Sequence, residues 1–152
     1  MVRYVIAPPD PTSKEVMEAA IAVLRSHTLK SGGVVTEEKA FSILAYVEER
    51  IVGGLIGKVF WNWLYADLVW VGEDFRGQGI GSNVMKRAEE SALEMKLTGI
   101  YLWTETWQAP AFYAKLGYSQ YCEFRDFPPG HTRLGFRKYL PTNEGERNVY
   151  AS

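Results

Sequence analysis

The chain has 152 residues, 47% hydrophobic and 23% charged, with a formal net charge of −1. This length suits one domain with a real core, and the near-neutral balance offers no basic field for nucleic acid. The single cysteine, Cys122, excludes an internal disulfide and a cysteine-rich metal site, and no apolar stretch is long enough to span a membrane. The opening Met1-Val2-Arg3-Tyr4-Val5-Ile6 is too short an apolar run for a signal peptide. A soluble, cytoplasmic protein without metal is the expectation.

Val2 to Ala7 reads as a first strand stopped by Pro8-Pro9. Thr12 and Glu15 have the spacing of a capping box. A helix follows to about His27 with Val16, Ala19, Ala20, Val23 and Leu24 on one face, and Ser31-Gly32-Gly33 breaks it. Ala40 to Val47 alternates as a strand. Ile51 to Trp61 is the next; its internal Gly53, Gly54 and Gly57 signal bulges or close backbone approach. Trp61-Asn62-Trp63 turns into a third strand, Leu64 to Val71, apolar except for Asp67. Under strict alternation Asp67 shares a face with Val69 and Val71. Three strands with short turns make an antiparallel meander.

Gly72-Glu73-Asp74-Phe75 leads from that strand into Arg76-Gly77-Gln78-Gly79-Ile80-Gly81-Ser82. There the period changes: Ile80, Val84, Ala88 and Ala92 fall four apart, the stripe of a helix. A glycine-rich turn therefore sits where a strand hands over to a helix N-terminus. The first helical amides have no partner within the helix, and the macrodipole adds about half a positive charge. Glycines admit φ > 0 and close approach of a ligand to the backbone, and Arg76 adds a donor fork suited to phosphate oxygens. The turn is a candidate pyrophosphate cradle. It lacks the lysine of a Walker loop, and Ser82 stands where the dinucleotide fingerprint needs its third glycine.

Gly99 reads as the stop of this helix. Ile100 to Thr106 follows as a strand, parallel to Leu64–Val71 through a right-handed crossover. Pro110 opens a short helix that Gly117 ends. Tyr118 to Asp126 and Thr132 to Leu140 are the final strands, joined by Phe127-Pro128-Pro129-Gly130-His131, and the polar tail 141–152 has little to bury.

The run Arg76-x-x-Gly79-x-Gly81 resembles the acetyl-CoA pyrophosphate signature of the GNAT superfamily of N-acetyltransferases. Phe112-Tyr113-x-Lys115-Leu116-Gly117-Tyr118 resembles a second segment of that family. The order and separation of the two agree, and the resemblance extends from about Val2 to Leu140. It implies an α/β (α+β) fold within one domain, residues 1–140, followed by the tail. The fold would be a mixed central sheet of about seven strands: an antiparallel N-terminal meander, a splayed parallel pair in the middle, and about four helices on both faces. It also implies transfer of an acetyl group from acetyl-CoA to a primary amine of a small molecule, by direct attack in a ternary complex. Peptide or protein acetylation is the alternative within that chemistry, and a non-catalytic acyl-CoA sensor is the alternative outside it. Family habit and aromatic content also raise a homodimer.

The resemblance further assigns roles. Val69, Trp70 and Val71 would offer backbone groups to the pantetheine arm and the acetyl carbonyl. Arg76, Gly77, Gln78, Gly79, Ile80, Gly81 and Ser82 would hold the pyrophosphate. Tyr113 would protonate the leaving thiolate and lie against the cofactor. The family's usual asparagine before that tyrosine is missing, with Gln108 as its stand-in or a shorter loop in its place. A lysine-like amine lies about three pH units from its neutral form at pH 7, so a base helps. Some members carry an acid where Trp103 stands here. The candidates are Asp67, Glu105 (two residues on, hence on the Trp103 face) and Glu73, in that order. Asp67 reads equally well as a holder of the substrate ammonium. The acceptor pocket would use the first helix, the turn around Trp61 to Trp63 and the final hairpin. The regions around it supply Trp61, Trp63, Trp107, Tyr121, Phe127 and His131.

Overall fold

The structure, a computed structural model, describes residues 2–3 and 14–141. The expected first strand beyond Arg3, Thr12 of the capping pair and the tail from residue 142 lie outside the described residues. The described chain falls into two units that divide after Thr36.

The first unit is built on α1 (Lys14–Lys30), one turn longer than its apolar pattern requires. Its end is chemically marked. Gly32 takes φ +73°, and the Gly33 amide donates to the Thr28 carbonyl at 2.8 Å, closing the last turn.

The second unit carries β1 (Lys39–Val47), β2 (Arg50–Phe60), β3 (Trp63–Val71), a 3-10 turn (Glu73–Phe75) and α2 (Ile80–Glu94). Then come β4 (Gly99–Glu105), α3 (Pro110–Lys115), β5 (Ser119–Arg125) and β6 (Thr132–Tyr139). The strands form one mixed sheet in the order β1-β2-β3-β4-β6-β5. Among the described strands only β3 and β4 run parallel, as a crossover through α2 requires. The architecture is the expected one, with six strands rather than about seven and three α-helices rather than about four among the described residues.

The α2 stripe is real. Val84, Met85, Ala88 and Ala92 are buried in one cluster with Leu55, Leu64, Ile100 and Leu102 from the sheet. Tyr113 of α3 and Phe136 of β6 complete it. Cutting any of the buried leucines to alanine would cost about 2–5 kcal/mol.

Two local expectations change. α2 is stopped by Lys96, not Gly99. Lys96 adopts φ +56°; its amide donates to the Leu93 carbonyl and that of Leu97 to Ala92, both at 2.9 Å. This is a Schellman closure achieved without glycine. Gly99 instead opens β4, where a Cβ would meet the Trp63 ring and the Lys138 carbonyl.

The second change concerns Asp67. Ala66 faces Gly57 and Leu68 faces Ile56, so Asp67 is an extra residue with no partner on β2. Such a bulge reverses the parity of the strand. The core face runs through Leu64 and Ala66 and resumes at Val69. Asp67 and Leu68 are exposed, and Asp67 lies with Tyr65 instead of with Val69 and Val71. Gly57 opposite the bulge has no room for a Cβ, because the Tyr65 carbonyl sits there.

The bulge also marks where the sheet opens. β3 and β4 pair at only four positions, from Trp63↔Gly99 to Ala66↔Leu102. Beyond them β3 stays with β2 as far as Val71, and β4 stays with β6 as far as Glu105. The parallel pair therefore splays from Asp67 onward.

Candidate active site

The splay produces a cleft of about 960 Å³. Its β3 wall runs from Ala66 to Val71, its β4 wall is Trp103, Thr104 and Glu105, and its floor includes Phe112 and Tyr113 of α3. The glycine turn and the first turn of α2 form one end. A single cleft thus joins the two motifs that the sequence separates.

The backbone of β3 faces this opening on one side. Gly72 donates its amide to the Val52 carbonyl at 2.8 Å, so it points toward β2. By the two-residue period of the ladder, Leu68 and Trp70 do the same, and Val69 and Val71 direct their backbone groups into the slot. The Val71 carbonyl is there, accepting a bond from Arg76 Nε at 3.2 Å. Trp70 lines the cleft, but its backbone groups turn to β2 and its ring passes over Gly54, so the slot-facing backbone is that of Val69 and Val71.

The cradle has the properties expected of an anion site. Gly79 caps α2 at φ +78°, with no side-chain cap and no acidic residue in the first turn. A Cβ on Gly77 or Gly79 would meet nothing within 4 Å. The amides of Ile80, Gly81 and Ser82 thus begin the helix without intrahelical acceptors, beside open space. Gly81 is packed more closely, 3.3 Å from the Phe112 ring at its would-be Cβ. The Gln78 side chain donates to the Asp74 carbonyl at 3.3 Å and does not line the cleft, so only its backbone belongs to the turn. These features fit a diphosphate-bearing ligand.

Tyr113 is 7% exposed, between Phe112, Tyr118 and Phe136, and still lines the cleft. Burial pushes its hydroxyl up to about 12. An unfolded tyrosine ionises near 10. Between these values the unfolded chain loses a proton that the folded chain keeps, so stability falls as pH rises from about 10 to about 12. Tyr113→Phe is expected to remove about 2–3 kcal/mol of this alkaline loss, read by denaturant unfolding across that range; an unchanged slope would contradict the burial argument.

The carboxylates differ. Asp67 is exposed and accepts a bond from the Tyr65 hydroxyl at 3.1 Å; no cation pairs with it among the described residues. Glu105 forms an ion pair with Arg133 Nε at 3.1 Å, opposite which β4 and β6 place it. Glu73 lies in the 3-10 turn, outside the cleft lining. The Gln108 carbonyl oxygen accepts from the Thr104 hydroxyl at 3.0 Å and from the Glu105 amide at 3.1 Å. Gln108 therefore ties the β4–α3 turn through its oxygen and lines the cleft. Trp107 lines the same cleft, edge-on to His131. Trp61, Trp63 and Tyr121 are elsewhere, along a shallower groove with Arg137. Arg133 is the charged cleft residue that sequence reasoning did not single out; the pairing of β4 with β6 is what brings it to Glu105.

Comparison with known proteins agrees with this geometry. Residues 30–118 match the Acetyltransferase (GNAT) family. Blasticidin-S acetyltransferase of Streptomyces morookaense is 45% identical over 85 residues, 55% of this chain and 62% of that protein. An acetyltransferase of Agrobacterium fabrum is 34% identical over 73 residues, 48% of this chain and 53% of its own length. The matches thus span less than two thirds of either relative. An acetyltransferase from Bacillus cereus has the same fold at a TM-score of 0.76 and 28% identity, covering 88% of this chain and 98% of that one. Family match, shared fold and splayed cleft together place the chain in the acetyltransferase (GNAT) family.

Proposed function

We propose that this protein transfers the acetyl group of acetyl-CoA to the primary amine of a small molecule, by direct attack in a ternary complex. The observation that carries this reading is the cleft opened between β3 and β4, which leads from the glycine cradle to Tyr113 and the carboxylates. The similarity to an enzyme named for the small molecule blasticidin S supports the acceptor class.

In this reading the turn from Arg76 to Ser82 holds the diphosphate, and acetyl-CoA supplies an activated acyl group. The backbone groups of Val69 and Val71 align the arm, and a slot-facing amide at Val71 stabilises the oxyanion, a contribution worth about 3–4 kcal/mol in other acyl transfers. Tyr113 keeps its proton through neutral pH and gives a hydrogen bond or the proton itself to the departing sulfur. Only the neutral amine attacks. Asp67, exposed and in no ion pair among the described residues, holds the ammonium at the mouth and passes its proton to solvent. Glu105 is the weaker candidate because Arg133 already engages its carboxylate.

Asp67→Asn is expected to raise the acceptor KM about tenfold or to move the rising limb of the pH–rate profile; if neither changes, Asp67 falls below Glu105. A second reading, acyl-CoA binding without turnover, draws on Trp103 in the β4 wall and on the engagement of Glu105. Release of free thiol with a panel of amines separates the two: turnover with one amine supports the enzyme, and binding without release supports the sensor.

A further inference from the structure

The cleft contains one cation that the acetyl-transfer reading does not use. Arg133 lines it from β6, its guanidinium carbon 5.6 Å from the centre of the Trp103 ring and 5.0 Å from that of Phe127. Its Nε lies 3.1 Å from Glu105 Oε1, yet this nitrogen is buried and makes no aligned hydrogen bond. The ion pair thus fixes the side chain without consuming its donors. Two aromatic faces and a carboxylate hold the guanidinium, and its two terminal nitrogens make no hydrogen bond among the described residues. A guanidinium fixed in this way offers its outer edge as a fork for a planar carboxylate. Asp67 stands on the other wall, in no ion pair among the described residues. The cleft therefore presents one reader for a negative group and one for a positive group on opposite strands.

We propose that the acceptor carries a carboxylate as well as its amine, the carboxylate bound by Arg133 on the β4–β6 side and the ammonium by Asp67 on β3. This rests on the acetyl-transfer reading and narrows its substrate class from amines in general to amino acids and amine-bearing acids. A simple alkylamine would leave the Arg133 fork facing water, so it gains nothing there. An acid-bearing acceptor gains a charge-assisted contact, about tenfold or more in affinity.

The test compares ω-amino carboxylates of graded length with alkylamines of matched length, as thiol release from acetyl-CoA and as calorimetric binding to the protein saturated with CoA. The amino carboxylate of the best length is expected to exceed its alkylamine at least tenfold in kcat/KM, mainly through KM. In Arg133→Gln the ratio should collapse toward one, and Arg133→Lys should restore part of it. Because the ratio is taken within one variant, general damage to the site cancels. Equal use of both acceptors by the parent protein overturns the proposal, as does a preference that survives in Arg133→Gln. If neither acceptor releases thiol, the acetyl-transfer reading fails for these amines, and the binding arm decides: preferential binding of the amino carboxylate that Arg133→Gln abolishes supports the carboxylate site, and equal or no binding refutes it.

Discussion

Gly79→Trp should abolish acetyl-CoA binding and leave the fold standing. Gly79 is at φ +78°, ψ 5° as the cap of α2. An L residue in that region costs about 1–2 kcal/mol, a loss of a few degrees in Tm. The space around the site is what makes the effect on binding so much larger. No atom lies within 4 Å of a Cβ placed there, so the side chain starts without a clash and projects from the turn into the open space beside it. That is the space the ligand needs if the amides of Ile80, Gly81 and Ser82 are to reach its phosphate oxygens. A decrease in affinity of at least about 100-fold is expected, equivalent to about 3 kcal/mol, by calorimetry on a protein whose unfolding remains cooperative. Unaltered affinity would remove the cradle from the account.

Tyr113→Phe should lower kcat by about 100-fold with little change in acetyl-CoA affinity. The ring is fixed in the core by Phe112, Tyr118 and Phe136, and phenylalanine retains those contacts. What is lost is a hydroxyl that burial holds up at about 12, and therefore protonated throughout the working range, against a thiol of about 8.5. A donor weaker than the leaving group in acidity still favours hydrogen bonding to the forming thiolate, which then takes its final proton from Tyr113 or solvent. Because Tyr113 does not titrate below about pH 10, the parent enzyme should show a rate that rises with amine deprotonation and no falling limb from this group. An unchanged kcat in the phenylalanine variant would end the acid role.

The parts of this site that could be read from the sequence are those that depend on neighbours along the chain. The glycine turn, the α2 stripe from Ile80 to Ala92 and the Pro110–Gly117 segment are local patterns with local physics, and all three are where the sequence placed them. What was not legible depends on strand pairing. Alternation put Asp67 with Val69 and Val71, but one unmatched residue against Gly57 reversed that parity. Gly99 looked like a helix stop because glycine is the cheapest residue at φ > 0. Lys96 took that conformation instead, and the Trp63 ring claimed the space at Gly99. Arg133 carries no local signal at all. It becomes part of the site only because β6 enters the sheet between β4 and β5 and sets Arg133 opposite Glu105. Gln108 lines the cleft and also ties Thr104 and Glu105 through one oxygen, a contact local to the β4–α3 turn.

The proposed function requires the cleft between β3 and β4 to bind acetyl-CoA through the glycine cradle and to pass its acetyl group to an amine. Thermal unfolding with and without acetyl-CoA, followed by a thiol assay of the same complex against an amine panel, tests it most directly. At a ligand concentration about 100 times the dissociation constant, stabilisation of about 2.7 kcal/mol is expected, with thiol release that depends on one class of amine and is lost in Tyr113→Phe. No stabilisation at ligand well above a micromolar dissociation constant would contradict the assignment of the cleft itself.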